Sequence, residues 1–224
     1  MKKKFGPIFI TLAIIATILF VVFAVLNPSN DSKPSDNADK PKVVANDAQK
    51  AQMKQGNSKG NMASKVVVTE FGDFQCPACA NVEEILKQSV WPQYGEKVGF
   101  VFKHFPLTQI HKNALSSAYA SEAAAVQGKF WEMHDILYAK QTEWSELADP
   151  QSKYEGYASQ LGLDVAKFKQ DMKSKATKDK VENDKKLGED LKLPGTPSFF
   201  VNGVLVELNA ITDLTNAIEK ALAQ

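Results

Sequence analysis

Apolar positions divide the chain into three segments. The first, Ile8–Leu26, has no charged residue, and as a helix it would be roughly 28 Å long, close to the thickness of a bilayer's hydrocarbon core. The second, residues 27–64, is polar and has no aromatic residue. From Lys65 to the C-terminus apolar residues recur at strand and helix spacing, which predicts a folded domain over residues 65–224.

Residues 1–26 predict a membrane helix or a secretion signal. Lys2, Lys3 and Lys4 precede the apolar run and should hold the N-terminus in the cytoplasm, so that the rest of the chain crosses the membrane. A single-pass signal anchor is the favoured interpretation. A cleavable signal peptide is the alternative, because Val22–Ala24 offers a small-residue cleavage site after a long apolar run. Both interpretations put the folded domain on the extracytoplasmic side, either attached to the cell membrane or secreted.

The polar segment 27–64 is predicted to be a flexible linker. Its Pro, Ser, Asn, Asp, Lys and Gln residues supply too little apolar surface to offset the entropy lost on ordering. A short helix around Val44–Met53 is the structured alternative within this segment.

The folded part begins with a βαβ pattern. Val66–Phe71 is typical of a buried strand, apolar residues at helical spacing follow Cys76, and Val98–Phe102 is typical of a second strand. The two strands should be parallel, with the start of the helix at the same edge as the end of the first strand. Cys76 therefore lies where functional sites form.

The C-terminal half predicts helices followed by a hairpin. Residues 110–191 have an almost wholly helical pattern. Ser198–Val201 and Val204–Glu207 then flank Asn202-Gly203, the strongest short signal for a β-hairpin, and Thr212 could cap a final helix. The expected fold is an α/β domain with a helical insertion over about 110–191.

Charge and cysteine content exclude several classes of protein. All 27 basic residues are lysine, and the chain beyond Leu26 has 24 of them against 26 acidic residues. A nucleic-acid partner is not expected, because phosphate-binding surfaces show a basic surplus with arginine forks. The chain has two cysteines, which cannot form a disulfide-dense scaffold or a four-cysteine zinc site. Any thiol chemistry is confined to Cys76-Pro77-Ala78-Cys79.

This spacing predicts a redox-active pair. Cysteines three residues apart in the first turn of a helix lie on one face, and Pro77 suits that turn because its missing N–H has no helical partner there. The unpaired backbone N–H groups and the helix dipole favour a thiolate at Cys76, which we expect to be the nucleophile. Cys79, one turn deeper, should be shielded and should resolve mixed disulfides.

Other interpretations of the pair are weaker. Two unreactive buried thiols are possible, and a structural disulfide across four residues would restrain little unfolded-state entropy. A zinc site would need two more ligands from His104, His111 and His134, whose spacing fits no zinc module. We expect no metal and no cofactor.

Three stretches together resemble the DsbA-like thiol:disulfide oxidoreductases of the thioredoxin superfamily, in its membrane-tethered or secreted bacterial branch. They are EFGDFQCPAC at Glu70–Cys79, FWEMH at Phe130–His134 and GTPSFFVNG at Gly195–Gly203. The resemblance covers about Lys65–Gln224 and implies a thioredoxin fold with a helical insertion.

The resemblance also implies roles for individual residues. In the family, the proline that matches Pro197 is cis and faces the active-site disulfide, and the preceding residue, here Thr196, pairs with bound substrate. Glu70 matches a buried acid that helps to move the proton of the inner cysteine, although it could instead end an exposed strand. One departure concerns oxidising strength, since DsbA has a histidine where this chain has Ala78. His104 and His134 are interpreted as structural, the first solvated or hydrogen-bonded and the second packed in the core.

The resemblance implies oxidation of reduced exported proteins by dithiol–disulfide exchange outside the cytoplasm. Reoxidation would need a quinone-linked membrane partner resembling DsbB or a vitamin K epoxide reductase homologue. A disulfide reductase or isomerase kept reduced by a membrane partner is the first alternative. A membrane-tethered binding or chaperone module with incidental thiols is the second.

Overall fold

A computed structural model describes residues 43–224. The predicted membrane helix or signal and the first part of the predicted linker lie outside the described residues. Within the described part, no helix is both long enough and apolar enough to cross a membrane.

The described residues contain five strands and ten α-helices. The strands are β1 Asn57–Gly60, β2 Val67–Gly72, β3 Gly99–His104, β4 Ser198–Val201 and β5 Val204–Val206. The helices are α1 Asp47–Met53, α2 Pro77–Ile85, α3 Trp91–Tyr94, α4 Ala114–Ala125, α5 Phe130–Ala139, α6 Gln141–Trp144, α7 Gln151–Gln160, α8 Val165–Lys173, α9 Lys175–Asp190 and α10 Ile211–Leu222. A π-helical turn, Leu86–Val90, joins α2 to α3.

The strands form one mixed sheet in the order β1-β3-β2-β4-β5. β2 and β3 are parallel, with Val67 opposite Gly99, and the other neighbouring pairs are antiparallel. All six residues of β2 are buried, because helices cover both faces of the sheet at its centre. The predicted βαβ unit is confirmed, and it brings the end of β2 and the start of α2 to one edge.

The predicted helical insertion is confirmed as α4–α9. Most of its buried apolar residues pack in one core that includes the fully buried Trp144 and Tyr154 as well as Cys79. The predicted hairpin is also confirmed. Asn202 and Gly203 have φ of 50° and 79°, the left-handed conformations that a two-residue turn of this type requires.

The flexible-linker prediction is wrong from residue 43 onwards. Asn46 and Gln49 form a reciprocal capping box at the start of α1, with both hydrogen bonds at 2.9 Å. Met53, at the end of α1, is buried, and β1 extends the sheet beside β3. The linker prediction failed because this segment is ordered by docking on the domain, not by an apolar core of its own. The short helix considered as the alternative is present.

The cap predicted for the last helix is also wrong. α10 begins at Ile211, so Thr212 lies inside its first turn. The Asp213 carboxylate instead accepts hydrogen bonds from the backbone N–H groups of Asn209 and Ala210, both at 2.9 Å.

Candidate active site

Cys76 occupies the N-cap of α2. Its backbone is extended, with φ −72° and ψ 119°, and Pro77 is the first helical residue. The turn before it is closed by a 3.0 Å hydrogen bond from the Cys76 N–H to the Asp73 carbonyl. The two cysteines are free thiols, and Cys76 is the more accessible, at 7% exposure against 0% for Cys79.

The surroundings of Cys76 favour its thiolate. A hydrogen bond from the Cys79 thiol is the largest cause, and backbone N–H groups of Cys79 and Ala78 add to it, so that the pKa of Cys76 falls to about 5 although burial opposes the shift. An ordinary cysteine has a pKa of about 8.5. At neutral pH this sulfur is therefore a thiolate, the form that attacks disulfides.

The inner cysteine has the opposite character. Burial raises the pKa of Cys79 well above its ordinary value, and the negative charges of Cys76 and Glu70 act in the same direction. Cys79 is consequently a protonated thiol that donates to its partner. The predicted roles, a nucleophilic Cys76 and a resolving Cys79, stay predictions that this placement is compatible with.

Thr196 and Pro197 lie beside the nucleophile. The peptide bond between them is cis, and the Cys76 sulfur is 3.4 Å from the Thr196 backbone carbonyl oxygen. The structure thus brings together residues 120 positions apart, as the resemblance implied. The role of Thr196 and Pro197 in substrate binding stays a prediction.

Glu70 is buried at the centre of the sheet. It lies in β2 opposite Phe102 and Phe199 and is 1% exposed. Neither carboxylate oxygen has a hydrogen-bond partner among the described residues. Burial raises the pKa of Glu70 well above its ordinary value, with Glu83 as a second cause. The alternative that Glu70 ends an exposed strand is wrong, whereas its part in proton transfer stays a prediction.

Two further ionisable residues near Glu70 were not predicted from the sequence. Glu83 in α2 is 2% exposed, and burial raises its pKa to about 7, although the positive charge of Lys59 opposes the shift. Lys59 in β1 places its Nζ 4.1, 5.1 and 5.2 Å from the ring centroids of Trp131, Phe100 and Trp91. One signal could have identified Glu83, since it follows Cys79 by four residues and so shares its helix face.

The histidines have structural surroundings. His104 Nε2 is 2.7 Å from Glu122 Oε1, and both residues are buried. His134 is fully buried, and its ring centroid is 5.0 Å from those of Trp131 and Tyr138. These placements fit the hydrogen-bonded and core interpretations.

His111 has a different partner. Its Nδ1 is 2.7 Å from Asp73 Oδ2, and the same carboxylate oxygen accepts from the Leu107 N–H at 3.0 Å. His111 therefore ties the loop after β3 to the turn that precedes Cys76.

One group of side chains has the donors that a metal would need. Glu83, His134 and Asp135 bring potential ligand atoms within 4.8 Å of one another. Lys87 Nζ lies 2.8 Å from Asp135 Oδ2, and the Lys59 charge acts on Glu83. Because two lysines already offset these acids, the group is better suited to an internal charge cluster than to a cation site.

Comparisons with known proteins agree with this geometry. A family model described as thioredoxin matches residues 52–220. The probable disulfide bond formation protein D of Bacillus anthracis is 30% identical over 218 residues, 95% of this chain and 93% of that protein. The Na(+)/H(+) antiporter NhaA 1 of Mycolicibacterium vanbaalenii is 37% identical over 150 residues, which are 65% of this chain. The chain spans only 23% of the length of that antiporter.

Two solved structures share the fold. Oxidised BdbD from Bacillus subtilis superposes with a TM-score of 0.63 at 22% identity, over 75% of this chain and 92% of that chain. A variant of α-DsbA1 from Wolbachia pipientis superposes with a TM-score of 0.66 at 22% identity, over 79% and 96% of the two chains.

Proposed function

The chain belongs to the thioredoxin family, as a DsbA-like thiol:disulfide oxidoreductase, and from that premise we propose that it forms disulfide bonds in exported proteins. The observation that carries the proposal is the arrangement of the two thiols at the start of one helix, where Cys76 is the more accessible and has a lowered pKa, and Cys79 is fully buried and has a raised pKa. Stabilising the Cys76 thiolate favours the dithiol over the disulfide, which makes the disulfide form a better oxidant.

The proposed reaction has two exchange steps. A substrate thiolate attacks Cys76 in the oxidised protein, a substrate–Cys76 disulfide forms, and Cys79 leaves with the electron pair of the broken bond and takes up a proton. A second substrate thiolate then attacks the substrate sulfur and displaces Cys76 as a thiolate. The substrate loses two electrons and becomes a disulfide, and the protein gains them as a dithiol.

The reaction is proposed to occur outside the cytoplasm. The uncharged run Ile8–Leu26 behind Lys2–Lys4 supports this location and a membrane anchor. A turnover cycle then needs an oxidant that takes two electrons from the dithiol. We assign this part to a quinone-linked membrane partner resembling DsbB or a vitamin K epoxide reductase homologue.

The activity is tested by oxidative refolding of a reduced protein and by reduction of insulin, with Cys76→Ser as the control. The wild type should catalyse both reactions, and equal activity of wild type and variant would leave a binding or chaperone module as the better interpretation.

Whether the protein oxidises or reduces its substrates in cells is tested separately, by trapping its thiols through alkylation. An oxidase should be mostly disulfide. A mostly dithiol state would contradict oxidation and favour a reductase or isomerase.

A further inference from the structure

The turn that carries the nucleophile is held by the helical insertion. Gln141, the first residue of α6, donates from Nε2 to the Phe74 carbonyl at 2.7 Å and to the Cys76 carbonyl at 3.0 Å. A primary amide has two hydrogens, so one reaches each carbonyl. The reversed amide orientation would put Oε1 against two carbonyl oxygens, and the contacts therefore fix the orientation of this side chain.

A second set of bonds holds the residue between these carbonyls. Gln75 Nε2 donates to the Ser145 carbonyl at 2.8 Å, just beyond the end of α6. Gln75 Oε1 accepts from the Asn113 N–H at 2.6 Å, and Asn113 Nδ2 donates to the same Ser145 carbonyl at 2.9 Å. Thus Phe74, Gln75 and Cys76 each form a hydrogen bond with α6 or with Ser145, the residue after α6.

Helix α6, which carries Gln141, is held in place by its own packing. Trp144, in the last turn of α6, is fully buried and donates from Nε1 to the Leu137 carbonyl in α5 at 2.9 Å. α6 is therefore fixed to α5, and the backbone that carries Gln141 is held in place. The Cys76 carbonyl also accepts from the Ala80 N–H at 3.2 Å, so Gln141 supplies its second donor.

We propose that Gln141 is a positioning residue for thiol exchange. By holding the Phe74 and Cys76 carbonyls it keeps Cys76 in the N-cap geometry that aims the Ala78 and Cys79 N–H groups at its sulfur. A turn freed from Gln141 would rotate these donors away from the sulfur and lower the share of thiolate near pH 5. The inference rests on the proposed exchange chemistry at Cys76.

The test is Gln141→Met, which keeps the length of the side chain and removes both donors. Alkylation of the reduced full-length protein by iodoacetamide, followed across pH 3 to 9, reports the Cys76 thiolate. We expect about a three- to tenfold lower rate at pH 5 and a midpoint displaced to higher pH, because one or two hydrogen bonds are lost. Gln141→Glu should act in the same direction, since a carboxylate repels the two carbonyl oxygens.

Gln127→Met is the matched control. Gln127 also lies in the helical insertion and bonds the backbone of another residue, Asp164, through both ends of its amide, so it reports the structural cost of the same substitution. Gln141→Glu carries the test if Gln141→Met does not fold, because Gln141 is only half-buried and the carboxylate can reach water.

An unchanged alkylation midpoint in the folded Gln141 variants, even with a lower melting temperature, would overturn the inference. That result leaves the proposed function intact. An ordinary thiol midpoint in the wild type would instead count against the proposed function itself.

Discussion

Cys76 and Cys79 occupy two different regions of the same helix turn. The outer region is an edge where α2 begins, and there unpaired N–H groups and a neighbouring thiol stabilise negative charge. The inner region is a closed space beneath the helix, where Glu70 and Glu83 have no hydrogen-bond partner among the described residues and burial penalises every charge. Identical side chains thus acquire opposite pKa shifts.

This difference shows that the depth at which each sulfur is buried sets its chemical properties. The outer sulfur is ready to attack at neutral pH, whereas the inner sulfur must lose a proton before it can act. Burial raises the pKa of both inner acids, and that of Glu83 to about 7, so Glu83 can accept or release a proton near neutrality. Changes at the two sulfurs should therefore have the largest effects, and changes at the ionisable residues around the inner sulfur smaller ones.

The largest effect is expected from exchanging the two cysteines singly for serine. Cys76→Ser should reduce disulfide exchange to the uncatalysed background, because the serine hydroxyl cannot form a disulfide. Cys79→Ser should retain attack by Cys76 and accumulate mixed disulfides, which non-reducing electrophoresis would show. Equal trapping by both variants would contradict the division between an outer and an inner thiol.

The central fold and the place of the two cysteines at the start of α2 could be predicted from local signals. The strand pattern before Cys76, the proline after it and the Asn-Gly turn act within a few residues, and each is present. β1 could not be predicted in this way, and for α1 the sequence offers a short helix only as the alternative to a linker. Their order comes from pairing β1 with β3 and from bonds such as the Ala45 N–H to the Gly203 carbonyl at 2.8 Å, contacts that span more than 40 residues.

The inner acids illustrate the same limit. The helical spacing of the apolar residues in α2 does not include Glu83. Its burial arises because α5 brings His134 and Asp135 against it. Lys59 lies in the segment that the sequence predicts to be a linker, although it faces three aromatic rings. Charge clusters of this kind depend on tertiary packing, and the one periodic sign of this cluster is that Glu83 shares the helix face of Cys79.

The next largest effect concerns Glu83 and the pH dependence of stability. Its pKa is about 7 in the folded protein against an ordinary value of 4.5 for a glutamate carboxyl. Below pH 4.5 the carboxyl is protonated in both states and carries no penalty. As the pH rises to 7 and above, the unfolded state loses its proton first, so the wild type should lose on the order of 3 kcal/mol relative to Glu83→Gln.

Urea unfolding at pH 4.5 and pH 8 measures this difference. Glu84→Gln is the matched control, because Glu84 is the next residue of α2 and is exposed. A stability gap between wild type and Glu83→Gln that does not change with pH would show that Glu83 does not titrate in this range.

Glu70→Gln should affect only the inner thiol. A glutamine cannot exchange a proton with Cys79, so release of a mixed disulfide by Cys79 should slow by about ten- to a hundredfold at pH 7. Alkylation of Cys76 in the reduced protein should stay close to the wild-type rate and serves as the internal control. Stopped-flow measurement of mixed-disulfide release and of Cys76 alkylation tests this prediction. Equal slowing of both reactions would assign Glu70 a general structural role.

The smallest effect is expected at Lys59. Lys59→Met keeps the apolar stem among Trp91, Phe100 and Trp131 but removes the ammonium that contacts their rings, a loss of about 1 kcal/mol in the free energy of unfolding. It also removes the positive charge that lowers the pKa of Glu83, so the Glu83 midpoint should move upward from about 7. NMR of the protein with isotope-labelled glutamate carboxyl groups would follow that midpoint directly. Lys54→Met, on an exposed lysine five residues earlier, should change neither quantity.

Because burial lowers the pKa of Lys59 itself, the charge effect should weaken at alkaline pH, while the stem contact would persist. If Lys59→Met lowers stability yet leaves the Glu83 midpoint in place, then β1 supports the inner region by packing alone and the cation has no part in its proton balance.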